Sequence, residues 1–311
     1  MSKCLYCYKE TGNEKDFHDS CAKQFFGSTE APLLPYSLIE IIDLAKEVVA
    51  QSVSVPGVQA KLSFSILKKT QNSPHTRLTV VGALGGNYIF KPATTEYPHM
   101  PENEHVTMRM AELFGIPVVP SSLIRLQSGE LSYITKRIDR TVKGEKIHML
   151  DMFQILEAFD KYKSSMEKVG KAVLLYSSNT LLDAHTLFEL TLFSFLTGNN
   201  DMHLKNFSLI HSGIGWKLAP AYDLLNVAIL LPDDTEELAL TLGGKKSKLT
   251  KLQFIAFGKG MGLSDKQIER TFTSFISKKE KANALLKQSF LPHDFQEKYH
   301  LVLNERYSKI D

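Results

Sequence analysis

The chain has 311 residues, a formal net charge of +3 and a composition that is 43% hydrophobic and 23% charged. This balance is that of an ordinary globular protein, and so small a positive excess does not by itself indicate binding to nucleic acid or membranes. No apolar run has the length of a membrane span and the amino terminus lacks the apolar stretch of a signal peptide, so we expect a cytoplasmic protein, with export to a host left open.

The amino-terminal segment holds all three cysteines of the chain, in the pairs Cys4-x2-Cys7 and His18-x2-Cys21. Two ligand pairs with two-residue spacers have the spacing of a Cys3His zinc site, and thiolate and imidazole groups suit tetrahedral Zn²⁺. The alternative is three free thiols beside an unrelated histidine. The sequence leaves zinc open and defines residues 1–30 as a candidate zinc-knuckle segment. Its role would be structural, because four protein ligands leave no open position on the metal.

The stretch Val55–Gln59 lies between a predicted helix over residues 36–50 and a predicted strand at Leu62–Leu67. Helical spacing of apolar residues indicates the helix. A loop that contains Pro56-Gly57 could present backbone N–H groups to phosphates. It has a single glycine and matches neither of the usual glycine-rich nucleotide motifs, so the pattern alone favours a hairpin turn.

Lys91 ends the predicted strand Tyr88–Lys91 and directly precedes Pro92, which cannot continue a strand ladder. In a kinase-like small lobe, a lysine at a strand end contacts the phosphates of ATP, whereas an exposed surface lysine is the alternative. A helix predicted to begin near Glu102 would supply a carboxylate to hold this lysine. We favour Glu104 for this role over Glu102, although both acids also suit the positive end of a helix dipole.

Two further strands are predicted at Val118–Leu126 and Leu131–Lys136, as a hairpin around Ser128-Gly129. They are followed by the segment Arg137–Arg140, where the chain should leave its first lobe. A hinge between two lobes is where an adenine ring would find backbone partners, so we expect the nucleotide base to lie near this segment.

Residues 149–198 show helical periodicity, and the most informative stretch of the chain follows them. Asp201 and Asn206 are separated by four residues, with His203 and Lys205 between them. In phosphotransferases of the protein-kinase type, an Asp-x4-Asn spacing supplies a base for the attacking hydroxyl and an amide oxygen for Mg²⁺. A cation between the two, His203 or Lys205, could offset the charge on the transferred phosphoryl group. The alternative is a polar turn before a strand.

A hairpin is predicted over residues 207–218, and Ala219-Pro220-Ala221-Tyr222-Asp223 follows it. In kinases the catalytic loop is followed by a hairpin and then by an acidic residue, which is the second metal ligand. Asp223 is therefore a candidate Mg²⁺ ligand, with a cap for a helix starting near Leu224 as the alternative. From Leu224 onwards the chain is predicted to be mostly helical.

Together these residues resemble the HipA family of toxin–antitoxin serine/threonine kinases. The resemblance rests on Val55–Lys61, Tyr88–Pro92, Glu102–Glu104, Arg137–Arg140, Gly198–Phe207, Ala221–Asp223 and Gly243–Thr250. It implies an α+β, bilobal protein-kinase-like fold, with a β-rich first lobe over residues 31–140, a helical second lobe over residues 141–311 and ATP between them. By this resemblance the chain looks closer to the short HipT type than to full-length HipA, which has an extra amino-terminal domain.

The resemblance also implies a role for each matched residue. Asp201 becomes the catalytic base, Asn206 and Asp223 bind Mg²⁺, and Lys91 binds the phosphates of ATP. The phosphate loop would include Val55, Gly57, Val58 and Gln59. Lys136 and Ile138 would face adenine, with Ile138 in place of an aromatic residue. Ser52 and Ser54 would be autophosphorylation sites, where an added charge of about −1.5 to −2 should repel the nucleotide or displace the loop.

Partners follow from the same resemblance. They are a protein substrate such as an aminoacyl-tRNA synthetase, a small antitoxin that resembles the amino-terminal domain of HipA, and a DNA-binding antitoxin that resembles HipB. Direct binding to a membrane or to nucleic acid is not expected. A small-molecule kinase of the aminoglycoside-phosphotransferase type stays an alternative, because it shares the Asp-x-His-x-x-Asn pattern. A non-catalytic regulatory module is disfavoured by the complete set Lys91, Asp201, Asn206 and Asp223.

Overall fold

The structure is a computed structural model that describes residues 2–12, 14–51, 61–67, 75–81, 85–141 and 143–311. The predicted phosphate loop, Val55–Gln59, and the predicted phosphorylation sites Ser52 and Ser54 lie outside these residues. Contacts group the chain into a first unit and a second unit. The first comprises Met1–His105, Val119–Lys146 and Gln288–Phe290, and the second comprises Val106–Val118, Ile147–Lys287 and Leu291–Asp311. The domain boundaries predicted at residues 30 and 140 stay a prediction, because a division by contacts does not test them.

The first unit is built on a five-stranded antiparallel sheet. Its strands are β1 (Leu62–Leu67), β2 (Arg77–Val81), β3 (Tyr88–Lys91), β4 (Ser121–Arg125) and β5 (Leu131–Lys136), in the order β2-β1-β3-β5-β4. Side chains alternate between the two faces of a strand, so one set of apolar residues reaches the core. Phe64, Phe90 and Ile134 are fully buried in a single cluster. The strands predicted at Leu62–Leu67, Tyr88–Lys91, Val118–Leu126 and Leu131–Lys136 are confirmed.

In the described part of the chain, three helices begin in the first unit. They are α1 (Asp19–Phe26), α2 (Leu38–Gln51) and α3 (Met100–Phe114), of which α3 continues into the second unit. Pro101 suits the first turn of α3, where the missing N–H has no intrahelical partner. Val106, Met110 and Phe114 form its buried stripe.

The second unit is mostly helical. It contains α4 (Met152–Ile155), α5 (Met166–Tyr176), α6 (Thr180–Leu196), α7 (Lys251–Gly260), α8 (Asp265–Ser277), α9 (Lys279–Gln288) and α10 (His293–Tyr307). The second half of α6 is apolar on nearly every side and buried, which is the pattern of a helix at the centre of a core. Across the described ranges, no helix combines the length and the apolar character that crossing a membrane would need.

A three-stranded antiparallel sheet lies beside these helices in the second unit. It consists of β6 (Met149–Asp151), β7 (Ser208–His211) and β8 (Trp216–Leu218), in that order. The predicted hairpin of β7 and β8 is confirmed, whereas β6 lies in a segment that was predicted to be helical. The stretch that carries Asp201 and Asn206 connects α6 to β7.

The prediction of a mostly helical chain from Leu224 onwards is wrong for residues 224–250. There the structure has turns and isolated bridges without a helix, and α7 first begins at Lys251. The backbone amides of Val227 and Ala228 donate to the carbonyl of Gly198, at 3.0 and 3.1 Å. These bonds use donors that a helix would need for its own turns.

Candidate active site

Lys91 and Glu104 form a buried ion pair in the first unit. The Nζ atom of Lys91 lies 2.6 Å from Oε1 of Glu104, and the two residues are 4% and 2% exposed. Lys91 is the last residue of β3, and Nζ lies 5.4 Å from the ring centroid of Tyr133 on the neighbouring strand β5. Its burial excludes the alternative of an exposed surface lysine.

Of the two carboxylates considered for this contact, Glu104 is the one that reaches Lys91. Glu102 lies two residues earlier on α3, and its Oε1 atom is 3.6 Å from Nδ1 of His99. Burial raises the pKa of Glu102 above its ordinary value, and His99 acts in the opposite direction. The two acids thus occupy different surroundings although both lie in the first turns of α3.

Gly198 fixes the start of the loop between α6 and β7. Its φ angle is 66°, a conformation that side chains disfavour. A Cβ atom there would lie 2.8 Å from Cγ1 of Val302 and 2.9 Å from Oδ1 of Asn226. The positive φ angle and the lack of room for a Cβ atom both require glycine at this position. The chain leaves α6 at Gly198 and turns toward Asp201.

Backbone and amide hydrogen bonds close the loop around Asp201. The carbonyl oxygen of Asp201 accepts from the backbone N–H of His203 at 2.8 Å and from Nδ2 of Asn206 at 2.9 Å. Leu204–Asn206 form one turn of 3-10 helix, which brings Asn206 back to this carbonyl. Because the amide nitrogen of Asn206 is used in this bond, its amide oxygen is the atom that suits a Mg²⁺ ion.

Tyr222 ties the segment of Asp223 to the same loop. Its hydroxyl lies 2.5 Å from Oγ of Ser208 and donates to the carbonyl oxygen of Lys205 at 3.0 Å. Asp223 itself has φ 61°, a left-handed conformation that is uncommon for a residue with a side chain and that clusters at functional sites. No helix follows in the described residues 224–250, so the alternative role of Asp223 as a helix cap is wrong.

His203 and Lys205 differ in burial. Burial lowers the pKa of His203 below its ordinary value, although the nearby carboxylates of Asp201 and Asp223 act in the opposite direction. The neutral imidazole therefore predominates at neutral pH. Lys205 is exposed, with Nζ 4.8 Å from the ring centroid of Phe153. Of the two residues predicted to supply a cation, His203 is buried and Lys205 is the exposed one.

The residues predicted to face adenine and the cysteine cluster lie in the first unit. Lys136 donates to the carbonyl oxygen of Gln24 at 3.4 Å, and burial lowers its pKa. Ile138 is half-buried in the segment after β5. The role of Lys136 and Ile138 toward adenine stays a prediction.

The four residues of the predicted zinc site come together, with ligand atoms within 4.8 Å of one another; they are Cys4, Cys7, His18 and Cys21.

A comparison with known protein families identifies the family of this chain. The family described as the HipA-like C-terminal domain matches residues 53–283. The chain belongs to the HipA family. Three relatives extend the match. The chain is 29% identical over 291 residues to a Haemophilus influenzae protein named "Putative kinase". The alignment covers 84% of this chain and 82% of that protein.

Two other relatives are longer than this HipA-family chain. The Sinorhizobium fredii protein named "Putative kinase Y4dM" is 31% identical over 231 residues, which are 69% of this chain and 55% of that protein. The serine/threonine-protein kinase toxin HipA of Shewanella oneidensis is 26% identical over 233 residues, which are 68% of this chain and 52% of that protein. The chain therefore spans little more than half the length of these two relatives.

Solved structures show the same fold. HipA of Shewanella oneidensis, in a complex with HipB and operator DNA, aligns with a TM-score of 0.67 at 20% identity, over 90% of this chain and 72% of that one. The Helicobacter pylori proinflammatory kinase CtkA aligns with a TM-score of 0.52 at 15% identity, over 72% of this chain and 87% of that one. Likeness at these identities concerns the fold. The predicted α+β, kinase-like fold is confirmed.

Tyr162 is a residue of this HipA-family site that the sequence did not indicate. Its hydroxyl donates to Oδ1 of Asp201 at 2.7 Å, and its ring packs edge-on against the ring of His203 at 5.1 Å. Burial and the charge of Asp201 raise the pKa of Tyr162, so the hydroxyl keeps its proton and stays a donor. Tyr162 precedes Asp201 by 39 residues, and no local pattern connects them.

Proposed function

We propose that this HipA-family chain is a protein kinase that uses ATP and Mg²⁺. The observation that carries the proposal is the buried Lys91–Glu104 pair. In protein kinases, a lysine on the third strand is held by a glutamate of the following helix and contacts the phosphates of ATP. Here Lys91 lies on β3, and Glu104 lies on the helix that follows it. The pair has both the connectivity and the contact of that arrangement.

The residues of the second unit divide the remaining work. Asp201 is the proposed base, because its carboxylate already accepts a hydrogen bond from a hydroxyl, that of Tyr162 at 2.7 Å. Asn206 and Asp223 are the proposed ligands of Mg²⁺, since carboxylate and amide oxygens suit this ion. Bound Mg²⁺ would neutralise charge on the phosphates. Lys205 is the proposed cation beside the transferred group.

A first prediction concerns Tyr222. Tyr222→Phe removes the hydroxyl that bonds Ser208 and the carbonyl of Lys205. A hydrogen bond contributes about 0.5–1.5 kcal/mol, so the hold on Asp223 weakens and the Mg²⁺ concentration for half-maximal activity should rise up to about tenfold. The measurement is a Mg²⁺ titration of kinase activity at saturating ATP. Tyr176→Phe, a change of an exposed tyrosine on α5, is the control, and an equal shift in both variants would contradict the role of Tyr222.

Our proposal for the substrate and the partners of this kinase is based on the Shewanella oneidensis relative. That protein is named a serine/threonine-protein kinase toxin, and its solved structure includes HipB and operator DNA. We extend this to a serine/threonine kinase toxin that phosphorylates a protein such as an aminoacyl-tRNA synthetase. Its partners would be a DNA-binding antitoxin that resembles HipB and a small antitoxin that resembles the amino-terminal domain of HipA. Phosphorylation of Ser52 or Ser54 would switch the kinase off.

The test is intact-mass spectrometry of the purified chain after incubation with ATP and Mg²⁺. We expect a gain of one or two phosphates in the wild type, which a Ser52→Ala/Ser54→Ala double variant loses. The double variant should still bind ATP in calorimetry, because the substitutions remove only the acceptor hydroxyls. The control is the wild type with ATP and without added Mg²⁺, in which no phosphate should be added.

Other outcomes would contradict the proposal at different levels. Transfer to a small aminoglycoside-like alcohol, without phosphate on any protein, would favour a small-molecule kinase. Phosphate that remains in the double variant would contradict Ser52 and Ser54 as the acceptors. Failure of the wild type to bind ATP in the presence of Mg²⁺ would overturn the kinase function itself.

A further inference from the structure

We propose that Cys4, Cys7, His18 and Cys21 bind one structural Zn²⁺ ion, which fixes the amino-terminal segment to the first unit. These residues precede the part of the chain that matches the HipA-like family, residues 53–283. The proposal is therefore independent of the kinase function. It rests on the convergence of the ligand atoms, on the hydrogen bond of the His18 ring to a backbone carbonyl and on the contacts that the segment makes.

The ligand atoms have the spacing of a tetrahedral zinc site. Nδ1 of His18 lies 3.5 Å from Sγ of Cys7 and 3.7 Å from Sγ of Cys21. Zinc bonds of about 2.3 Å to sulfur and about 2.0–2.1 Å to nitrogen place sulfur and nitrogen about 3.6 Å apart in a tetrahedron. Since all four ligand atoms lie within 4.8 Å of one another, one ion could contact all of them after small adjustments.

A backbone contact selects the nitrogen of His18 that faces the cysteines. Nε2 lies 2.9 Å from the carbonyl oxygen of Glu10. A carbonyl oxygen can only accept, so Nε2 carries the proton, and the neutral ring presents the lone pair of Nδ1 to the thiols. Metal-binding histidines commonly donate their second N–H to a backbone carbonyl in this manner.

Hydrogen bonding among the side chains explains the cluster less well than a metal does. The three cysteines are free of disulfides, and an odd number of thiols cannot all pair with one another. One imidazole lone pair can accept from a single thiol, and thiols are weak donors. Three thiols and one imidazole around a common centre instead match the soft, tetrahedral donor set of Zn²⁺.

The local backbone also suits a metal knuckle. The N–H of Tyr8 donates to the carbonyl of Cys4, and the N–H of Cys4 donates to the carbonyl of Lys9, both at 2.9 Å. This turn holds Cys4 and Cys7 together, and Tyr8 adopts φ 67° to close it. On the other side, His18 occupies the position before α1 without capping the helix through its side chain, and Cys21 lies in the first turn, three residues later. Residues three apart on a helix share one face.

The segment that the ion would fix contacts several parts of the first unit. The N–H of Leu123 on β4 donates to the carbonyl of Leu5 at 3.3 Å. Phe25 of α1 lies 5.9 Å from the ring of Tyr88, the first residue of β3. The hydroxyl of Tyr8 is hydrogen-bonded to Nδ1 of His105 at 2.8 Å. These contacts reach β3, β4 and the start of α3.

The position of Tyr8 connects the proposed ion to the Lys91–Glu104 pair. Tyr8 directly follows the ligand Cys7, and His105 directly follows Glu104 on α3. The Tyr8–His105 bond is buried, so it holds the first turns of α3 at a set distance from the knuckle. Loss of the ion should loosen this part of α3.

Metal analysis of the full chain, purified without chelators, tests the proposal. We expect one zinc ion per chain in the wild type and none in the Cys7→Ser/Cys21→Ser variant. His293→Ala is the control, because this histidine is 85% exposed at the start of α10 and should leave the zinc content unchanged. A wild type without stoichiometric zinc, or a double variant that keeps it, would overturn the proposal.

Thiol reactivity gives a second measurement on the wild type alone, in case the double variant does not fold. All three thiols should resist a thiol reagent until a strong chelator removes the zinc, and three thiols should then react for each ion released. Hydrogen exchange of the zinc-free chain should quicken in β4 and the first turns of α3, with little change in α8. Thiols that react at full rate while zinc stays bound would contradict these ligands.

Discussion

Asp201→Asn should lower the rate of phosphoryl transfer by about 10²- to 10⁴-fold, which is the usual contribution of a general base. The substitution keeps the shape of the side chain and removes its ability to accept the proton of the attacking hydroxyl. The carboxamide retains an oxygen that can accept from the hydroxyl of Tyr162, which lies 2.7 Å from Oδ1 of Asp201. The change is therefore directed at chemistry.

The surrounding loop should survive this substitution. The bonds from His203 N–H and from Nδ2 of Asn206 end on the backbone carbonyl of Asp201 and not on its carboxylate. ATP affinity should also change little, because Lys91, Asn206 and Asp223 are retained. A selective loss of rate, at unchanged affinity for ATP, is the signature of a group that acts in the transition state.

The measurement is a single-turnover assay of phosphoryl transfer beside calorimetric titration with ATP. Asp233→Asn is the matched control, since it makes the same chemical change at an exposed position of the same unit. Full activity of Asp201→Asn would show that another group is the base. A parallel loss of ATP affinity would instead assign Asp201 to nucleotide binding.

Local patterns were sufficient to predict the strands of the first unit and the loop of Asp201. Short apolar runs bounded by turn residues indicate the strands. Asp201 and Asn206 lie only five positions apart in the chain, so their spacing is a local pattern. The choice between Glu102 and Glu104 needed the structure. Residues two apart point to nearly opposite sides of a helix, and helix ends are predicted only to within one or two residues.

Contacts between distant residues could not be predicted in this manner. Tyr162 reaches Asp201 across 39 residues, and Tyr222 reaches Lys205 across 17 residues. Each is an ordinary tyrosine in its own neighbourhood, and only the fold gives its hydroxyl a partner. The apolar run after Asp223 predicted a helix for a related reason. Tertiary bonds to the carbonyl of Gly198 override that local preference.

Glu104→Ala should destabilise the chain by about 3–5 kcal/mol, because it leaves the ammonium of Lys91 in the interior without its carboxylate. Both residues are nearly inaccessible, at 4% and 2% exposure, so water cannot replace the lost partner without opening the structure. Asp43→Ala is the control. It breaks a pair with Lys46 on α2 whose side chains are 62% and 73% exposed, and such a pair is worth about 0–1 kcal/mol.

The double variant Lys91→Met/Glu104→Leu separates stability from function. Replacing both charges by apolar groups of similar volume is often neutral or stabilising, so unfolding in urea should return near the wild-type midpoint. ATP binding should nevertheless be lost, because the cation for the phosphates is absent. Recovery of stability without recovery of ATP affinity would mean that the pair is kept for its role toward the nucleotide. A double variant that binds ATP normally would contradict that role. If Glu104→Ala lowers the free energy of unfolding by less than about 1 kcal/mol, the pair is solvated.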